Sequence, residues 1–288
     1  MKNVINYYYG LIVREHKKKD NKFIFEINNN IFEFIPFFGD INTLMNTYSI
    51  LKMYRKESDE IILNKDNNVA TIYNNEPYIL LKKYKNNRKS ININDIINYD
   101  SMIHIKHNIN LKKMWNEKVD YYLIELKENN NLQNIKKCFS YYIGLSELAI
   151  SLLNYVDLSK INYYISHKRI KETEDLYNPL NIIIDSRVRD IAEYIKNSFF
   201  YNESKIENFE YLIKSQNFTQ EEMLLLLARL LYPSYFFDAY EKLYLGTITD
   251  KEIEKIIKKN NNYEQLLKKI YKHINFLYNI PKIDFLEN

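Results

Sequence analysis

Two neighbouring stretches, Tyr163-Tyr-Ile-Ser-His-Lys-Arg-Ile170 and Leu176-Tyr-Asn-Pro-Leu-Asn-Ile-Ile-Ile-Asp-Ser-Arg-Val-Arg-Asp-Ile-Ala-Glu-Tyr-Ile195, decide how this sequence folds. The first is a β-like run that ends in a histidine. A loop follows, then a short strand over Leu180 to Asp185 with branched residues at its centre. Arg-Asp-Ile-Ala then opens a helix, part of a strongly amphipathic span from Ser186 to Phe200.

Helices dominate the sequence on either side of these stretches. Asn110 to Lys127 carries Leu111, Met114, Trp115, Val119, Tyr122 and Leu126 at helical spacing, and Cys138 to Leu153 is amphipathic as well. A capping box, Thr219 with Glu222, opens a helix over Thr219 to Leu231. Asp250 to Leu277 supplies one or two more.

The first 85 residues read differently. Lys22 to Ile27 and Asn30 to Phe37 are rich in aromatic and β-branched residues and are separated by asparagines, which is a hairpin signal. Asp40 opens a helix with Ile41, Leu44, Met45, Tyr48 and Leu51 on one stripe. Strands Asn68 to Tyr73 and Pro77 to Lys82 flank the turn Asn74-Asn75-Glu76. The polar run Lys82 to Ser90 reads as a crossover. The expected architecture is α+β and bilobal: a β-rich lobe over 1–85 with one helix on a small antiparallel sheet, and a helical lobe over 86–288.

Composition narrows the class. The chain has 288 residues, 46% hydrophobic and 27% charged, enough for two packed lobes with a substantial core. Glycine is scarce, with four residues where ordinary usage gives about twenty. The asparagine clusters read as turns. The 41 basic and 37 acidic side chains are interspersed, and Lys17 to Lys19, placed in a turn, is the only run of three basic residues. A nucleic-acid binder gathers its positive charge on one face, so no nucleic-acid partner is expected. Cys138 is the single cysteine, read as a small core residue, and no apolar run reaches the ~18 residues of a membrane span. A soluble cytoplasmic protein is expected. His104 and His107 have zinc-like spacing but no nearby third ligand, so no metal site is expected there.

The quoted stretches resemble the catalytic region of the aminoglycoside phosphotransferase and choline kinase group, and within it the spore coat kinase-like proteins of the CotS and YutH type. Trp115 to Asp120, Phe139 to Ile150 and Ala228 to Asp238 fit the same branch, so the resemblance covers residues 110 to 240. The N-terminal lobe matches in element order alone. The resemblance implies a protein-kinase-like fold with a His-Gly-Asp base motif, a downstream Asn and Asp that hold Mg²⁺, and an Asp-Leu-Ala motif that braces the loop. A spore-associated location follows only from this resemblance.

Departures from that pattern fall on the chemistry. The His-Gly-Asp position reads His167-Lys168-Arg169, and a guanidinium does not accept a proton. The expected Asn is Glu174, with Asn178 or Asn181 as replacements after a loop insertion. Asp185 ends a strand where the metal-binding Asp belongs, and Asp190 stands in the bracing position. Only four residues separate those two acids. The turn Asn28-Asn29-Asn30 lacks the glycine of a phosphate-covering loop. Phe32 to Phe37 carries no lysine, and the Asp40 helix opens without a glutamate. The implied reading is a catalytically degenerate kinase-like protein that acts by binding a protein partner, with no cofactor. The alternative is an ATP- and Mg²⁺-dependent small-molecule phosphotransferase with relocated residues: Asp185 and Asn181 on the metal and nucleotide, Asp175 as substitute base. Under the first reading Arg169 should pair with Asp185 or Asp190.

Overall fold

The computed structural model describes residues 1–19, 21–55, 57–86, 90–98, 102–103, 110–128, 133–202, 217–278 and 280–287. The chain divides into two compact units, Met1–Asp95 with Ile165–Ile184, and Ile96–Tyr164 with Asp185–Asn288.

The first unit runs α1 (Lys2–Tyr9), β1 (Lys17–Lys19), β2 (Lys22–Ile27), β3 (Asn30–Pro36), α2 (Ile41–Tyr54), β4 (Glu60–Ile62), β5 (Ala70–Tyr73) and β6 (Glu76–Lys82). The strands form an antiparallel sheet in the order β1-β2-β3-β6-β4, with β5 also paired to β6. Strand side chains alternate between faces, and β6 is buried on both. Tyr78 and Leu80 pack with Ile5, Phe23, Phe25, Phe32 and Phe34. Ile79 and Leu81 pack with Leu44 and Ile61. The sheet is thus covered by α1 on one face and α2 on the other. Asp40 caps α2, its side chain accepting from the Thr43 amide at 2.7 Å.

Asparagine does the work of glycine in these turns. Every non-glycine residue with positive φ among those described is Asn, including Asn28 (50°) and Asn29 (59°) in one hairpin and Asn74 (52°) and Asn75 (64°) in another. Two-residue hairpins of this type need left-handed conformations at both central positions, and Asn tolerates them best after Gly.

Beyond the sheet come α3 (Ile93–Asn98), β7 (Met102–Ile103), α4 (Leu111–Glu128), α5 (Gln133–Leu152), β8 (Tyr163–His167) and β9 (Ile182–Asp185). Then follow α6 (Val188–Asn197), α7 (Gln220–Leu231), α8 (Ser234–Tyr244), α9 (Asp250–Lys258), α10 (Asn260–Tyr278) and α11 (Asp284–Glu287). The second unit's core is aromatic. Tyr142 of α5 stacks on Phe236 of α8 with centroids 3.5 Å apart, Tyr122 of α4 stacks on Phe237 at 4.2 Å, and Trp115 stacks on Tyr232 at 4.4 Å. Two of the buried tyrosines have partnered tips: Tyr263 donates to the Leu230 carbonyl at 2.9 Å and Tyr142 to the Asn260 side chain at 2.9 Å.

Two expectations need correction. Lys17 to Lys19 is strand β1, not a turn, because Lys17, Lys18 and Lys19 pair with Ile24, Phe23 and Lys22. Its side chains are exposed, so composition gave no hydrophobic alternation to read. Cys138 is only half-buried, not a core residue. Helix α1 and strand β4 went unread, the first because asparagines and tyrosines dilute its apolar stripe. His104 and His107 lie outside the described residues.

The predicted capping box at α7 is present in full: Thr219 accepts from the Glu222 amide at 3.1 Å and Glu222 from the Thr219 amide at 2.9 Å. Thr219→Ala should therefore cost about 1 kcal/mol, read as a lower urea midpoint at unchanged slope, while Thr219→Asp should retain wild-type stability.

Candidate functional site

The loop between β8 and β9 and the first turn of α6 carry the residues singled out in the sequence. They fall in different units and are described separately.

In the first unit His167 is fully buried, and its Nε2 donates to the Leu176 carbonyl at 3.3 Å. Asn181 organises the loop. Its Nδ2 donates to the carbonyls of Arg169 (2.6 Å) and Asp175 (3.0 Å), and its Oδ1 accepts from the Arg169 amide at 3.1 Å. Asn178 accepts from the Leu180 amide at 3.0 Å, capping the short turn Pro179–Asn181. Asp175 accepts from the Lys171 and Glu172 amides at 2.7 and 3.0 Å. Arg169 is half-buried, and its Nη1 donates to the Lys168 carbonyl at 2.7 Å. Asn181, Asn178 and Asp175 therefore all shape this loop by hydrogen-bonding its own backbone.

The same unit holds a cavity of about 490 Å³. Four carboxylates line it, Glu26, Glu33, Asp59 and Glu174, against two lysines, Lys83 and Lys85. Glu33 sits on β3, the strand expected to lack a nucleotide-binding lysine, and it is buried. Lys22 pairs with it at 2.8 Å and Lys83 at 3.7 Å. Lys83 makes its shorter bond, 2.6 Å, to Asp59, which is 1% exposed and also accepts from the Tyr84 amide at 2.8 Å. Burial raises the Asp59 carboxyl above its ordinary value, against the pull of Lys83. Burial opposes the charge on Lys83, yet Asp59 and Glu33 outweigh it and raise that group too. The Lys83 shift reports the acids around it, and the Asp59 shift reports its burial. Lys83 escaped the sequence reading because it lay in a run of polar residues taken for a connector.

In the second unit Asp185 is buried and fully engaged. Its Oδ1 accepts from Arg229 Nη2 at 2.5 Å and from the Ser186 amide at 2.7 Å, and its Oδ2 accepts from Arg189 Nη1 at 3.1 Å. Burial alone would raise this carboxyl, but the two guanidiniums outweigh it and hold it below the ordinary carboxylate range. The sequence reading offered Arg169 as a partner of Asp185 or Asp190; within this unit Arg229 and Arg189 hold Asp185. Arg229 lies 44 residues downstream on an apolar helix, a separation that no local pattern reveals. One signal was present, a lone Arg inside Met223 to Leu231, since an arginine buried among leucines calls for a carboxylate. Asp190, in the first turn of α6, is buried.

Further contacts fix the same elements. Arg187 grips Glu222 through two bonds of 2.7 Å, and Lys196 donates to the Arg229 carbonyl at 3.2 Å and to Ser234 Oγ at 2.7 Å.

Mg²⁺ prefers octahedral oxygen ligands at ~2.0–2.1 Å, and both Asp185 oxygens already accept from guanidiniums. The residues present do not fit that ion. Nor does the acid-lined cavity fit a polyanionic nucleotide.

Comparison with known proteins places the chain. A family model described as spore coat putative kinase YutH matches residues 2–270. The endospore coat-associated protein YutH of Bacillus subtilis (strain 168) is 25% identical over 174 residues, 51% of this chain and 50% of that protein. The chain thus spans about half the length of the curated relative it matches. Among solved structures, an aminoglycoside phosphotransferase from Alicyclobacillus acidocaldarius subsp. acidocaldarius DSM 446 superposes with a TM-score of 0.61 at 9% identity, covering 96% of each chain. A spectinomycin phosphotransferase in complex with ADP and spectinomycin gives 0.52 at 10% identity, covering 94% of this chain and 97% of that one. At such identities the likeness establishes the fold: kinase-like, with an antiparallel sheet in one part and a larger helical part.

Asp185→Ala should destabilise the protein by about 3–5 kcal/mol, the usual cost of removing one partner of a buried pair. Replacing both partners, Asp185→Leu with Arg229→Met, should recover more than half of that loss. The pH dependence follows from the depressed carboxyl. Its stabilisation is complete above the unfolded value of ~3.9 and is lost as pH falls through the lower folded value. Urea midpoints between pH 2 and 6 should fall more steeply toward acid in the wild type than in Asp185→Asn.

Proposed function

The chain belongs to the spore coat putative kinase YutH family, and from that premise we propose that it is a catalytically degenerate member that acts by binding. One observation carries this reading: the carboxylate at the metal position, Asp185, is occupied on both oxygens by protein cations. Phosphoryl transfer depends almost wholly on positioning and on metal electrostatics. A carboxylate neutralised by two guanidiniums offers neither. Arg169 stands at the base position, and Asp175, the substitute base, is spent on two backbone amides. The buried acid on β3 opposes triphosphate binding. The Bacillus relative is described as endospore coat-associated, which supports a structural or scaffolding role at a spore surface with a protein partner. Asp190, buried at the start of α6, is a structural brace in this reading. Among the described residues no helix is long and apolar enough to cross a membrane.

The test is thermal denaturation with ATP and Mg²⁺ at millimolar concentration. A ligand at 100-fold its Kd adds about 2.7 kcal/mol, a readily measured rise in Tm; none is expected here. A saturable rise that Asp185→Ala abolishes would overturn the reading in favour of phosphotransfer.

A further inference from the structure

Helix α4 buries Leu111, Trp115, Val119 and Tyr122 and turns a second apolar stripe outward. Met114, Tyr121 and Ile124 lie on that outer stripe, each about half exposed. They recur at the a and d spacing of a helix-pairing seam, with the exposed Glu117 in the remaining d position. The last turn of α8 widens the surface, since Tyr244 and Leu245 are exposed there. Glu125 accepts from the Tyr121 hydroxyl and pushes it up to about 12, and Glu241 and Tyr244 of α8 add to that push. The two helices therefore present their outward aromatic side chains together. Apolar surface gathered in this way within a charged rim marks an interaction site.

The charges beside the stripe select the partner. On one flank Lys113 is followed two turns later by Asp120, and on the other Lys118 is followed by Glu125. Parallel pairing of two such helices sets the flanks crosswise, with lysine near lysine and acid near acid. Antiparallel pairing sets each flank on its own counterpart. Lys113 of one copy then faces Asp120 of the other, and Lys118 faces Glu125. In the same register Met114 falls level with Ile124 and Glu117 with Tyr121, and the two helix dipoles oppose. We propose that the outer stripe of α4, with Tyr244 and Leu245, docks a second copy of this chain in antiparallel orientation. The interface is isologous and closes on a dimer. Such a dimer is compatible with a catalytic as well as a non-catalytic chain.

Sedimentation velocity on the full chain across a concentration series should show a monomer–dimer equilibrium. Met114 and Ile124 are exposed, so Met114→Glu with Ile124→Glu should keep the wild-type Tm in dilute solution. The same double variant should weaken the dimer by about tenfold or more. Orientation is read by cross-linking in a Cys138→Ser background. Met114→Cys alone should form little disulfide dimer, whereas its mixture with Ile124→Cys should form the mixed disulfide under the same oxidant. A chain that stays monomeric throughout, or a dimer that survives the double Glu variant, overturns the proposal and leaves the face to a different protein. A disulfide that joins Met114→Cys to its own kind in preference to Ile124→Cys overturns the antiparallel arrangement.

Discussion

A buried carboxylate gripped by two guanidiniums organises the second unit. Asp185 enters from the end of β9, Arg189 from the first turn of α6 and Arg229 from the apolar interior of α7. Each charge would cost several kcal/mol to bury alone; together with the Ser186 amide they satisfy the carboxylate. Around them α6 and α7 are joined again, by the Arg187–Glu222 fork and by Lys196 on the Arg229 carbonyl. Glu222 also caps α7, so a single side chain both starts a helix and ties it to its neighbour. The helix pair therefore has little freedom to slide, because any shift breaks several charge-assisted bonds at once.

The two units resolve their charges in opposite senses. In the second, basic groups converge on one acid, so that each of its oxygens accepts from a guanidinium. In the first, acids outnumber the lysines around a cavity. An enzyme handling nucleotide and metal needs the reverse arrangement in both places: free carboxylate for the ion, cations for the phosphates. On the proposed non-catalytic reading, electrostatics argues against phosphoryl transfer as much as the missing residues do.

Much of this was legible in the sequence. Helix α7 and its capping box, helix α4, and the hairpins around Asn28 and Asn74 follow from local pattern: apolar spacing, a cap three residues ahead of its partner, turn residues between branched runs. The unusual loop from His167 to Asp190 was legible for the same reason. What escaped depended on distance. The Asp185–Arg229 pair and the Lys83–Asp59–Glu33 cluster join residues far apart in the chain, and an ion pair leaves no periodicity. Strand β1 escaped because three exposed lysines carry no alternation; its partner strand alone determines its form. Lysines along such an edge also discourage a further strand from pairing there.

The asparagine turns have a consequence for the unfolded chain. Glycine at Asn28, Asn29, Asn74 and Asn75 would adopt the left-handed conformation more readily, yet it would also enlarge the ensemble that folding must collapse. Asparagine trades some local strain for a denatured state with fewer conformations to surrender. With only four glycines in 288 residues, the disordered chain is stiffer than average. The hairpins of the sheet therefore close against a smaller entropic penalty.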